Sequence, residues 1–147
     1  MIKEEKLLKF VKKIIPIINN EVASNNLLKF KSKKDLQIDP VTKFDVKMEK
    51  LIRKLIKSDF KNYNIIGEEL ENENNSSDFT WVIDPIDGTK SLILNLHTWS
   101  NLIGLYFKKK CIFSFANFPI LKKTYIGLGN KTLLLTKNKK YQIISNK

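Results

Sequence analysis

A change of hydrophobic period near residue 60 divides this chain into two kinds of structure. Before it, Leu7, Val11, Ile14, Ile15 and Ile18 recur at helical spacing, which predicts an amphipathic helix over residues 4–23 with Pro16 as a candidate bend. Met48, Leu51, Ile52, Leu55 and Ile56 line one face of a second helix, and Thr42 with Asp45 three residues on reads as a capping box at its start. Residues 31–40, between the two, are polar and turn-like. After residue 60 the apolar runs shorten into strand candidates at Tyr63–Ile66, Phe79–Ile83, Leu102–Phe107, Cys111–Phe118, Thr124–Leu128 and Leu133–Thr136. Tight polar connections at Lys108–Lys110 and Gly129–Lys131 predict hairpins and antiparallel pairing, while Leu70–Asp78 reads as a solvated loop. The expected class is therefore α+β, two helices packed on an antiparallel sheet, in one domain spanning residues 1–147 with no internal repeat.

Charge and cysteine usage narrow the function classes. A formal charge of +12 attracts phosphates of any kind. Of the 27 basic residues, however, only Arg53 is arginine, and the lysines are scattered along the whole chain rather than gathered on one element. That pattern argues against a nucleic-acid partner and leaves a narrower expectation, a positive field that draws in a small phosphorylated substrate. Long apolar runs of membrane-spanning length are absent, and Lys3, Glu4, Glu5, Lys6, Lys12 and Lys13 interrupt the first apolar stretch, unlike a secretory leader. The expectation is a cytoplasmic protein with no membrane partner. Cys111, the single cysteine, is expected to pack as a small hydrophobe.

Chemistry is concentrated in Trp81-Val82-Ile83-Asp84-Pro85-Ile86-Asp87-Gly88-Thr89, where a strand candidate runs out into two carboxylates. Pro85 stiffens the backbone beside Asp84, Asp87 returns after a short turn, and the carbonyl between them adds a third hard oxygen of the kind that suits magnesium. Gly88 allows close approach of a ligand, and a helix beginning at Thr89 would aim free amides at a phosphate. The Thr89 hydroxyl is a candidate for orienting a water. An Asp-x-x-Asp pair alone is more often a solvated turn than a metal site. Upstream, Gly67-Glu68-Glu69 comes after another apolar run and can bring a further carboxylate to the same end of a sheet; a charged loop entry is the plainer reading, and it suits Glu69 better than Glu68.

Four blocks in order, Lys33-Lys34-Asp35, then Asp39-Pro40-Val41-Thr42-Lys43-Phe44-Asp45, then Gly67-Glu68-Glu69, then Trp81 to Thr89, resemble the inositol monophosphatase superfamily across nearly the whole chain. The resemblance implies the first domain of that layered, fructose-bisphosphatase-like fold. It implies magnesium as cofactor, with Glu68, Asp84 and Asp87 as ligands beside the Ile86 carbonyl, and Thr89 paired with Glu68 to activate water. By the same resemblance Gly88 and Thr89 face the substrate phosphate and Asp45 lies near the metals, a placement that coexists with its capping role. Lys33 matches a lysine near the active site, though Lys31 and Lys34 leave the alignment open by a residue. The implied reaction is metal-assisted in-line hydrolysis of a phosphate monoester without a covalent intermediate. No dinucleotide fingerprint, Walker loop or zinc-spaced Cys/His cluster competes with it, and His97, the only histidine, is expected to fill a loop.

Lys90-Ser91 and the run from Leu96 to Leu105 look most like the histidinol-phosphate phosphatases, with Asn95 and His97 departing from the usual Gly and Pro. Inositol-1-phosphate and 3′-phosphoadenosine 5′-phosphate are the alternative substrates. The family's later Trp-Asp block, which supplies another metal-binding aspartate, has no counterpart here. The expectation is thus an N-terminal metal-binding domain whose second domain is absent, either a catalytically incomplete fragment or a partner to a missing C-terminal half or a second copy. A non-catalytic interaction module on the same fold is the rival from another class.

Overall fold

The computed structural model describes residues 2–25, 38–136 and 139–143. Helix α1 spans Glu4–Ser24 and buries Leu7, Phe10, Val11, Ile14, Ile18 and Val22, with Pro16 inside an unbroken helix. Helix α2 spans Ile38–Asp59 and buries Phe44, Met48, Ile52 and Ile56. Its start corrects the capping-box expectation. The helix is already formed a turn before Thr42, with Pro40 in its opening turn where a missing N–H costs nothing, so Thr42 stands within the helix and not at the cap position.

Among the described residues seven strands succeed one another in the order of the chain: β1 (Asn64–Gly67), β2 (Phe79–Asp87), β3 (Ser100–Phe107), β4 (Lys110–Phe118), β5 (Lys123–Leu128), β6 (Lys131–Thr136) and β7 (Lys140–Ile143), with a short helix α3 (Thr89–Ile93) between β2 and β3. The two expected hairpins form, β3 with β4 and β5 with β6. The pairing of β1 with β2 departs from the antiparallel expectation: it is parallel, with Gly67 opposite Ile83, so the sheet is mixed. Parallel neighbours need a crossover rather than a tight turn, and Glu68–Asp78 is that crossover. Within it Glu73 returns to make an isolated bridge with Ile65.

Period-two alternation sorts the strands into two faces. Trp81, Ile83, Ile103, Leu105, Phe113, Phe115, Ile126, Leu128 and Leu133 are buried together with the apolar stripes of α1 and α2 in one core. Phe10 of α1 and Phe60 just beyond α2 meet Trp81 with ring centroids 5.3 and 5.1 Å away, so the aromatic centre joins both helices to the sheet. On the opposite face Val82, Asp84, Leu102, Gly104, Ser114, Ala116 and Tyr125 are half-buried and border a shallow trough of about 490 Å³. Cys111 lies exposed, not packed as expected, its Sγ 3.4 Å from the Phe113 carbonyl. No helix among the described residues is long and apolar enough to cross a membrane.

Candidate functional site

Because β1 and β2 run in the same direction, the residues leaving β1 and those ending β2 arrive at one edge of the sheet. Glu68 and Glu69 leave β1 there, and Asp84, Ile86 and Asp87 lie at the end of β2, where the pairing with β3 is interrupted between Asp84 and Asp87. Helix α2 brings Asp45 to the same place, buried at 5% exposure. With Gly67 opposite Ile83, Glu68 comes next beside Asp84, and the two carboxyls act on each other. Burial, then the charges of Glu69, Glu68 and Asp84, push the Asp45 carboxyl up to about 7. Burial, then the charge and hydrogen bond of Glu68 and the charge of Asp87, push Asp84 to about 7 as well, against a lowering contribution from the Ile86 amide. Glu69 is raised by burial and by Glu68 and Glu49.

Asp45 Oδ1 and Asp84 Oδ1 are both buried without a hydrogen-bond partner. Buried polar atoms are almost always satisfied, so two such oxygens inside one knot of acids mark a place suited to a cation. The donors are carboxylate and carbonyl oxygens throughout, the set preferred by hard divalent ions such as magnesium, so the residues present fit that group. The fit lies in donor chemistry rather than in a finished cage: among the described residues no three acids or other ligating side chains stand in metal-holding geometry.

Gly88 has φ +87°, a left-handed conformation that glycine adopts without strain, and α3 begins at Thr89 as expected. The Thr89 hydroxyl donates to the Ile86 carbonyl at 3.2 Å. Asp87 is exposed and its Oδ2 accepts from Ser100 Oγ at 3.5 Å. His97 is exposed in the connection from α3 to β3. Lys33 lies outside the described residues.

Two supports of the site are not recognisable in the sequence reading. Glu49 and Arg53 of α2, 0% and 5% exposed, form a buried pair in which Arg53 Nε and Nη2 stand 2.8 and 2.7 Å from Glu49 Oε1. Glu49 Oε2 accepts the Glu69 amide at 2.7 Å, and Arg53 reaches the Leu70 carbonyl at 3.2 Å and Glu73 at 3.1 Å. The available signal is the lone arginine of a lysine-rich chain, four residues after a glutamate on the same helix. The second support is a run of buried side chains. Asn101 Nδ2 donates to the Pro85 carbonyl at 2.7 Å, and Asn117 Nδ2 donates to Asn101 at 3.0 Å and to Asn19 of α1 at 2.9 Å. Thr124 closes it by donating to Asn117 at 2.9 Å. No spacing in the sequence announces it.

Known proteins are similar to this chain in sequence and fold. Residues 4–146 match the inositol monophosphatase family. The chain is 38% identical to a "Bifunctional phosphatase IMPL2, chloroplastic" of Arabidopsis thaliana over 66% of its own length and 29% of that protein. It is 35% identical to a histidinol-phosphatase of Chlorobaculum parvum over 58% of this chain and 33% of the relative. A fructose-1,6-bisphosphatase/inositol-1-monophosphatase of Aquifex aeolicus is 30% identical over 80% of this chain and 46% of the relative. The chain thus spans less than half the length of these relatives. Among solved structures, the extragenic suppressor protein suhB of Bartonella henselae superposes with a TM-score of 0.71 at 18% identity, over 87% of this chain and 50% of that one. Inositol monophosphatase II of Staphylococcus aureus superposes at 0.68 and 22% identity, over 92% and 48%. Those structures share the fold, and with the match over residues 4–146 they establish that the chain belongs to the inositol monophosphatase family.

Proposed function

We propose that this chain carries the metal- and phosphate-handling half of a magnesium-dependent phosphatase acting on a small phosphate monoester, with histidinol phosphate the preferred substrate. The observation that carries the reading is the knot of Asp45, Glu68 and Asp84, in which Asp45 and Asp84 each hold a buried oxygen with no partner and both carboxyls are pushed up to about 7. Glu68, Asp84, Asp87 and the Ile86 carbonyl would hold the metal, with Asp45 beside them. When bound, magnesium supplies the positive charge that neutralises the phosphate oxygens and the leaving alkoxide, and it acidifies water near neutral pH. Gly88 leaves the space that a phosphate needs, since it carries no side chain at the bend into α3. The Thr89 hydroxyl has committed its proton to Ile86, so its lone pairs accept from a water and orient it. Glu68 stands as that water's proton acceptor. The water oxygen bonds to phosphorus as the ester bond to the alcohol oxygen breaks; the alkoxide takes a proton from solvent as it leaves, and Glu68 returns to solvent the proton it took from the water.

The choice of histidinol phosphate over inositol-1-phosphate rests on the run from Lys90 to Leu105 and the histidinol-phosphatase among the relatives. Phosphate release from the two substrates, with and without magnesium, tests both levels of the reading. Calorimetry that finds no magnesium binding, or binding unchanged in Asp84→Asn, would remove the metal site and the phosphatase reading with it. A metal-binding chain that favours inositol-1-phosphate would change only the substrate.

A further inference from the structure

We propose that the buried Glu49–Arg53 pair is the positioning element of the acid cluster, holding the backbone that follows Glu68 so that its carboxyl stays beside Asp84. This rests on the reading of the acid cluster as a metal site. A buried ion pair is a poor device for stability, because an apolar pair of similar volume usually does as well without the desolvation cost. Something else must account for its use here, and the bonds left over after the pair is formed point to one segment. Arg53 Nε and Nη2 both engage a single oxygen of Glu49, leaving Oε2 to accept the Glu69 amide at 2.7 Å. Nη2 also donates to the Leu70 carbonyl at 3.2 Å, and Nη1 donates to Glu73 at 3.1 Å. Gly67 lies so close that a Cβ there would fall on the Glu49 carboxyl and stand 2.7 Å from Arg53 Nη2.

The residues after Glu68 are therefore fixed to α2 and Gly67 before it lies against the pair, while Glu68 itself is exposed and its carboxyl acts on that of Asp84. Asp45, Glu49 and Arg53 succeed one another at four-residue spacing along α2, so one stripe of this helix supplies a carboxylate to the cluster and then clamps the turn that supplies another. Outer partners that orient ligands in this way commonly change metal affinity by about ten- to a hundredfold when removed.

Two variants of the chain test the assignment. Glu49→Gln keeps the shape and, with its oxygen held by Arg53, turns an amino group toward the Glu69 N–H. Glu49→Leu/Arg53→Met removes both charges together, so that neither is left alone. In both, the Glu69 amide is expected to exchange with solvent at least tenfold faster by NMR. The magnesium dissociation constant measured by calorimetry is expected to rise about ten- to a hundredfold, while the double variant unfolds in urea no earlier than the parent. An unchanged Glu69 exchange rate, or unchanged magnesium binding in a folded variant, overturns the proposal. So does a failure of both variants to fold, since the pair would then serve stability. A parent chain that binds no magnesium sinks the metal reading instead, and the Glu69 exchange rate still decides whether the pair holds the turn.

Discussion

Replacing Asn101 with alanine removes a group that is fully buried and bonded on both ends. It donates to the Pro85 carbonyl at 2.7 Å and accepts from Asn117 at 3.0 Å. Truncation strands the Pro85 carbonyl and one Asn117 hydrogen. An unsatisfied buried group costs about 1–3 kcal/mol. Asn117 keeps its second bond, to the half-buried Asn19, so the two losses together come to about 2–4 kcal/mol. For a chain of this size that corresponds to a fall in Tm of about 4–16 °C. Urea unfolding followed by tryptophan fluorescence is the assay, because Trp81 and Trp99 are both fully buried and report the core directly. Asn101→Asp supplies the sign test. Its carboxylate would face the Pro85 carbonyl, acceptor against acceptor, so the loss at pH 8 should exceed that of alanine. It should shrink at acid pH, where a protonated carboxyl can donate. A loss below about 0.5 kcal/mol for alanine, within the range of ordinary surface changes, or an aspartate variant as stable as the parent at pH 8, would refute the accounting.

Gly67→Ala should destabilise by about 1–3 kcal/mol, as overpacking does, and weaken magnesium binding, because the new methyl collides with the Glu49 carboxyl; an unchanged urea midpoint would show that the brace yields freely. The pH dependence has a definite sign. Asp45 and Asp84 have pKa values raised to about 7 from 3.8 on folding, so the stability they contribute is fully present below about pH 4 and is lost as pH rises through 7. Metal-free parent protein should therefore lose more stability than Asp45→Asn between pH 5 and 8, and magnesium should stabilise the parent increasingly over the same interval; parallel pH profiles for the two proteins would contradict this. Cys111 should react with a thiol reagent in the folded protein, at a rate close to that in urea, and its slow labelling in native buffer would contradict its exposed position.

The local elements are legible because each carries a local signal. The alternation in β2 through β6 and the polar turns at Lys108–Lys110 and Gly129–Lys131 locate strands and hairpins close to their observed positions. The parallel pair is not legible, since β1 and β2 are joined by a long polar crossover whose length fits either direction of pairing. The start of α2 is obscured because Thr42 and Asp45 have the right spacing for a cap, which draws the boundary to Thr42 although Ile38 and Val41 continue the apolar spacing upstream. At the site, the acids are visible as letters, but Glu49, Arg53 and the asparagines act through contacts between segments far apart in sequence. Asn117 and Asn19 are 98 residues apart. The exposure of Cys111 escapes the sequence because a position in a strand-like run does not reveal which residues of the hairpin end face solvent.

The parallel register also bears on how the site tolerates change. With Gly67 opposite Ile83, the strand pair works as a ruler with both zero marks at the same end, so Glu68 and Asp84 are the next positions level with each other. A one-residue slippage would keep every backbone bond available, yet it would send one acid to the far side of the pleat. The meeting of these two carboxyls is thus held in proportion to the strand alignment and is indifferent to how many residues separate them along the chain.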